Sequence, residues 1–299
     1  MQYRQLGRTG LEVSEIGYGA WGIGGAGGGW VGAQDDESIL ALERFIALGG
    51  TFIDTARGYG RSEELVGRVV RAHEGEGLVV ATKVPPKNGQ WPARSGVPVE
   101  EAFPGDHIRA SVETSLRASG LESFDVLQFH VWSDEWVGRG DWQQTIQALK
   151  DEGTIRHFGV SINDHEPENG LELVRSGAVD TVQVIYNVFH QQPEEQLLPA
   201  CQEHGVGVIV RVAGEGQFRV GDNALAKLNE IDNRALAAVE GGDEDGFRAL
   251  LAEMIALVRD HGETLADDDL STSDVVVPPA DTTMEEARAE FSGDGLIPG

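Results

Sequence analysis

The chain's 299 residues suffice for one large α/β barrel or two ordinary domains, and a hydrophobic share of 40% is enough for a sizeable core. A formal net charge of −27 argues against a nucleic-acid partner, which needs a basic face, and against an anionic membrane surface. The single cysteine, Cys201, excludes an internal disulfide and is expected to be a packed thiol.

The opening MQYRQLGRTG carries no apolar segment of the kind a signal peptide needs. No run approaches the roughly 20 apolar residues of a membrane span. A cytoplasmic protein without membrane insertion is the expectation.

Tyr3 to Gly10 reads as a short hairpin with a glycine turn, and Val13 to Trp21 as the first strand. The glycine-rich stretch Gly22 to Gly32 does not open onto a helix, so it reads as a flexible flap rather than a phosphate cradle. Asp35 or Asp36 is expected to cap a helix striped by Ile39, Leu42, Phe45 and Ile46 and ended by Gly49 and Gly50. Thr51, Phe52 and Ile53 form a buried strand closed by Asp54. Tyr59 follows in a glycine-flanked loop, and Ser62 is expected to cap the next helix, with Glu63 and Glu64 in its first turn.

The alternation then repeats. Strands are expected at Leu78 to Val84, Val126 to Trp132, His157 to Ile162, Thr181 to Asn187 and Gly207 to Val212. Between them fall a helix with the stripe Ile108, Val112, Leu116, and helices at Trp142 to Lys150, Leu171 to Ser176 and Glu194 to His204. Strand–helix alternation implies parallel pairing with right-handed crossovers, and seven such units match the spacing of a (β/α)8 TIM barrel. A doubly wound sheet is the rival, but the glycines after the first strand do not open onto a helix as a dinucleotide fingerprint does.

From Ala213 the rhythm breaks. AGEGQFRVGD reads as a turn and short strand, and Asn223 to Val239 and Asp243 to His261 as an αα-hairpin. An acidic linker, LADDDLSTSD, leads to a strand at Val275 to Val277, a short helix MEEARAEF and a glycine-rich tail. From Arg211 onward the net charge is −13 over 89 residues, against −14 over the preceding 210. The sequence therefore reads as residues 1–212, a partial barrel truncated after its seventh strand, and residues 213–299, a small acidic α+β domain.

Asp54, Tyr59, Lys83 and His130 fall at strand ends or just beyond them, which in a parallel barrel converge on one mouth. A tyrosine is a poor acid near pH 7, but an adjacent ammonium stabilises its phenolate. A carboxylate can hold that ammonium, and a histidine can orient a carbonyl oxygen. Singly each has a plain structural reading: Asp54 a turn cap, Tyr59 a packed loop aromatic, Lys83 a solvated strand end, His130 a core histidine. Their shared position gives the group its weight. The eight histidines show no HxH or HxxxH pair, so no metal site is expected.

Residues 1–212 resemble the aldo-keto reductase family, through YRQLGRTGLEVSEIGYGAW, FIDTARGYGRSEELVGR, ATKV, SVETSLRASGLESFDVLQFH, GTIRHFGVSIND and VQVIYNVFH in order. The resemblance implies a (β/α)8 barrel that reduces aldehydes and ketones with NADPH, the carbonyl compound being a small molecule. It implies Tyr59 as general acid, Asp54 and Lys83 as its tuning pair and His130 as carbonyl orienter. Ser161 and Gln183 match the residues that hold the nicotinamide amide, Arg211 the one over the nicotinamide ring, and Trp21 and Trp132 the walls of the substrate pocket. Two departures stand out. Ile162 replaces the asparagine of the family's GVSN motif, and the eighth strand, whose loop and helix bind the adenosine phosphates, is not found after Val212.

From about Val208 to Gly299 the chain is similar to the PspA-associated domain of the phage-shock membrane-stress system, through IVRVAGEGQFRV, LNEIDNRALAAVEGGDEDGF, SDVVVPPADTT and GLIPG. A gene fusion with its seam in Val208 to Val212 is the implied arrangement. Alternatively Val275 to Val277 supplies a substitute eighth strand, with Thr282 to Phe291 as its helix. Two functions follow: an NADPH-dependent carbonyl reductase, or a non-catalytic stress or interaction protein with a degenerate barrel. In either, the C-terminal domain is a candidate surface for a protein partner or a dimer.

Overall fold

The computed structural model describes residues 1–27, 29–30, 32–163, 166–187, 190–211, 218–264, 277 and 287. The chain divides into two compact units, Met1–Arg211 and Val212–Gly299.

In the first unit, β1 (Tyr3–Gln5) and β2 (Glu12–Ser14) pair antiparallel across a 3-10 turn at Gly7–Thr9. The stretch Val13 to Trp21 is therefore not one strand. Its start belongs to this hairpin, and only Tyr18–Gly19 (β3) joins the main sheet. Ser14 accounts for the break: its hydroxyl donates to the Ile16 carbonyl and accepts from the Thr51 amide, which turns the chain between the two segments.

The six later strands form where the sequence places them: β4 (Phe52–Asp54), β5 (Val79–Val84), β6 (Phe124–Phe129), β7 (Ile155–Ser161), β8 (Thr181–Ile185) and β9 (Gly207–Arg211). With β3 they make a seven-stranded sheet in sequence order, every pair parallel. The intervening helices are α1 (Asp35–Ala47), α2 (Ser62–Ala72), α3 (Val99–Ala102), α4 (Gly105–Ser119), α5 (Trp142–Asp151), α6 (Leu171–Ser176) and α7 (Leu197–His204).

The sheet is curled. Leu6, Leu11 and Val13 of the N-terminal hairpin pack into one cluster with Phe52 of β4, Val79 and Ala81 of β5, Val126 of β6 and Ile209 of β9. A flat sheet could not bring its second and seventh strands to the same plug. The other register faces outward, where Val80, Phe129, Val160, Val182 and Val184 meet the helices. This alternation follows from the two-residue period of a strand, and it makes the inner positions near each C-terminal strand end available for chemistry.

Two expected caps take other forms. α2 begins at Ser62 itself; Arg61 precedes it without a side-chain capping bond. The Ser62 hydroxyl is buried, donating to the Ala20 carbonyl at 2.7 Å and lying 2.7 Å from Thr55 Oγ1. It thus ties the Tyr59 loop to the end of β3 instead of capping a helix. Before α1 the capping position is Gln34, also without a side-chain bond, while Asp35, Asp36 and Glu37 occupy the first turn, where carboxylates suit the positive helix end.

The second unit contains β10 (Phe218–Val220), α8 (Asp222–Gly241), α9 (Glu244–His261) and β11 (Gly262–Thr264), with β10 and β11 antiparallel. Leu228, Ile231, Ala235, Phe247, Leu251 and Met254 form the seam of the helical hairpin. The expected acidic linker, Val275, Val276 and the glycine-rich tail lie outside the described residues, as does the closing helix apart from Ala287. Val277 and Ala287 pack against the helical seam. Among the described residues no helix is long and apolar enough to cross a membrane.

Candidate active site

β5 shows how the site is built. Val79 and Ala81 point inward to the plug, so Lys83 does too, one step from the strand's end. Pairing carries that level across the sheet: Lys83 stands opposite Gln128, Gln128 opposite Gly159, and Gly159 opposite Thr181. Ser161 and Gln183 face each other one step higher, and Arg211 lies opposite Ile185. His130 follows β6 on the same inward register as Val126 and Gln128.

The Lys83 ammonium donates to Asp54 Oδ2 at 2.5 Å and to the Thr55 carbonyl at 2.9 Å, with its side chain fully buried. It also lies 5.0 Å from the centre of the Tyr59 ring. The Tyr59 hydroxyl is 3.3 Å from His130 Nε2, and the two rings meet edge to face at 5.4 Å. The structure thus gathers Asp54, Tyr59, Lys83 and His130 at one end of the sheet.

Burial pushes the His130 imidazole well below its ordinary value of 6.5, and the positive charges of Lys83 and Arg211 push in the same direction. The ring is therefore neutral at pH 7. On the outer face of β5, Glu63 is buried and accepts the Thr82 hydroxyl at 2.6 Å. Burial raises its carboxyl, while hydrogen bonds from Thr82 and Ser115 act against that rise. It is a packed acid of α2 rather than an exposed dipole partner.

Tyr59 is held by its loop. Its amide donates to the Ala56 carbonyl, its carbonyl accepts from Ser62, and the Arg61 amide donates to Gly24. A Cβ on Gly24 would stand 2.3 Å from the Tyr59 carbonyl oxygen, so the glycine-rich stretch passes here at a distance only glycine permits.

The aromatic walls differ from expectation. Trp132 is fully buried, its indole N–H bonded to Asp134 at 2.8 Å and its ring packed among Phe129, Trp136 and Trp142. It lies past the end of β6, where strand alternation no longer sets its direction, and, sealed from solvent, it does not border an open pocket. Trp21 is 42% exposed and meets Trp30 edge-on. The aromatic beside the site that sequence reasoning missed is Trp91, 47% exposed and edge-on to His130 at 4.2 Å. Asn163 secures its loop, exchanging hydrogen bonds with the backbone of Ala93 in both directions. Ile162, one residue earlier, faces outward into the core.

The residues present fit a nicotinamide. Ser161 and Gln183 are buried side by side, and the Gln183 side-chain oxygen has no hydrogen-bond partner. A buried acceptor of that kind suits a carboxamide N–H. No group of three or more His, Cys, Asp or Glu side chains able to hold a metal ion occurs among the described residues.

The comparisons with known proteins agree with this geometry. Aldo-keto reductase YhdN of Bacillus subtilis (strain 168) is 32% identical over 217 residues, covering 70% of this chain and 61% of that protein. The NADH-specific methylglyoxal reductase of Escherichia coli (strain K12) is 31% identical over 218 residues, covering 69% and 65%. The chain thus spans less than two thirds of the length of these curated relatives. A structure from Pseudomonas aeruginosa, assigned as an aldo-keto reductase, superposes with a TM-score of 0.58 at 30% identity, covering 76% of this chain and 82% of that one. A thermostable aldo-keto reductase, Tm1743, in complex with the inhibitor epalrestat, gives 0.56 at 26% identity and 86% of each chain. The profile of the aldo/keto reductase family matches residues 15–267, continuing past residue 212, where the sequence reading ends the reductase-like part. By that match the chain belongs to the aldo/keto reductase family.

Proposed function

We propose that the chain reduces the carbonyl of a small aldehyde or ketone to an alcohol, with Tyr59 giving the proton to the carbonyl oxygen. The observation that carries this is the placement of a fully buried Lys83 ammonium, paired with Asp54, against the Tyr59 ring. A positive charge there favours the phenolate left behind when the proton departs. His130 is neutral and stands beside the Tyr59 hydroxyl, so its ring can share the same substrate oxygen without adding a charge. When bound, a nicotinamide cofactor supplies the hydride. Ser161 and Gln183 are the residues that would hold its carboxamide, and Arg211, at the end of β9, the one that would lie over its ring. Trp21 and Trp91 would flank the substrate.

NADPH is the expected cofactor from the family resemblance. NADH is its competitor, since the Escherichia coli relative is named as NADH-specific. For the second unit, the reading as a PspA-associated domain that engages a protein partner rests on its sequence motifs, LNEIDNRALAAVEGGDEDGF among them.

Titration of the purified protein with NADPH and with NADH, followed by nicotinamide fluorescence, tests the reading. Saturable binding of either, weakened by Gln183→Leu, supports it. No binding of either would leave the non-catalytic interaction protein as the surviving reading.

A further inference from the structure

Gln128 lies inside the sheet between Lys83 of β5 and Gly159 of β7. It is fully buried on β6, directly opposite Lys83 on β5. Its side-chain nitrogen is 3.1 Å from Asp54 Oδ1. A carboxylate only accepts, so the amide must turn its N–H toward Asp54. Its oxygen then has no hydrogen-bond partner. Gly159 follows on β7, where a Cβ would come within 3.2 Å of Gln128 Cγ, so the neighbouring strand leaves the side chain little room.

The Asp54 carboxylate is thus held at both oxygens. Lys83 takes Oδ2 and Gln128 takes Oδ1. An ammonium alone fixes a carboxylate poorly, because it is a point charge that either oxygen satisfies. The second donor removes that freedom. It also leaves a buried amide oxygen without a partner, an arrangement that costs stability and calls for a reason.

We propose that Gln128 is a positioning residue: its amide locks the Asp54 carboxylate in the orientation that keeps the Lys83 ammonium against the Tyr59 ring. The proposal rests on Tyr59 as the proton donor, but the clamp itself can be tested without turnover.

Two variants separate the clamp from simple packing. Gln128→Leu keeps the bulk and removes the donor. Gln128→Glu keeps the shape and donates only when its carboxyl is protonated, a state favoured by the neighbouring Asp54 charge. With a small aldehyde and NADPH, Gln128→Leu should lower kcat about 10- to 100-fold, the penalty for slight misplacement of a reacting group. KM and cofactor affinity should stay near wild type. Gln128→Glu should be similarly impaired at neutral pH and regain activity, relative to wild type, as the pH falls. Gln128→Leu should show no such recovery. Equal, pH-independent losses in both variants would overturn the proposal.

The second readout uses the scarcity of lysine. The chain has only Lys83, Lys87, Lys150 and Lys227. With lysine labelled at the ε-carbon, the Lys83 signal can be assigned by elimination through single arginine replacements at the other three. Gln128→Leu should move the Lys83 signal while leaving the other three in place. An unmoved Lys83 signal overturns the clamp. A wild-type protein that binds nicotinamide but reduces no carbonyl would overturn the proton-donor reading alone, and the Lys83 signal would still decide the clamp.

Discussion

The Lys83 ammonium lies 2.5 Å from Asp54 Oδ2, with the lysine side chain sealed from solvent and the aspartate nearly so. A pair this deep is costly to break from one side, because a charge remains without its partner. Lys83→Met should therefore destabilise the protein by about 2–3 kcal/mol, somewhat less than a fully sealed pair because Asp54 keeps some exposure. Adding Asp54→Asn should recover part of that loss, since it removes the stranded charge. Urea denaturation of the two singles and the double gives the answer. Strictly additive losses would mean that the two groups do not depend on each other.

His130 predicts a pH dependence of stability. Its folded-state value is depressed by burial, while the unfolded imidazole titrates at its ordinary 6.5. Above pH 6.5 both states are neutral and nothing changes. Below it the unfolded chain takes up a proton that the folded protein resists, so stability falls by up to about 1.4 kcal/mol per pH unit until the folded ring itself titrates. His130→Gln should flatten that fall below pH 6.5. Denaturation midpoints of both proteins across this window test it, and parallel curves would contradict it.

Ser62 offers a purely structural prediction. Its hydroxyl serves the Ala20 carbonyl and Thr55 Oγ1, both in the buried approach to the Tyr59 loop. Ser62→Ala should cost about 1–3 kcal/mol, the range for stranding buried polar partners, because Thr55 has no water to turn to. A loss of only a few tenths would mean that the two buried bonds of Ser62 contribute little to holding the loop.

The strand order was legible because each strand is a short β-branched run between turn signals, and a parallel sheet buries such runs on both faces. The gathering of Asp54, Lys83 and His130 was legible for a related reason: each sits at or just past a strand end, so topology alone brings them together. What escaped depended on register. Gln128 lies two residues before His130, a spacing that forces both onto the same face, yet a glutamine within an apolar strand resembles filler. Trp132 failed in the opposite way: alternation would have turned it toward the site, but it lies past the end of β6 and its ring joins the aromatic core. Trp91 sits eight residues past Lys83 in an irregular loop, and its position depends on the distant Asn163, which no local pattern connects to it. The division of Val13 to Trp21 turned on the bonds of the Ser14 hydroxyl to the Ile16 carbonyl and the Thr51 amide.

The most direct test of the account is single-turnover consumption of bound NADPH by an aldehyde, comparing the wild type with Tyr59→Phe. The account predicts that the variant binds the cofactor normally and slows the chemical step by about 10²- to 10⁴-fold, the usual contribution of a positioned general acid. A variant that consumes NADPH at the wild-type rate would contradict it, because a phenylalanine has no hydroxyl proton to give to the carbonyl oxygen.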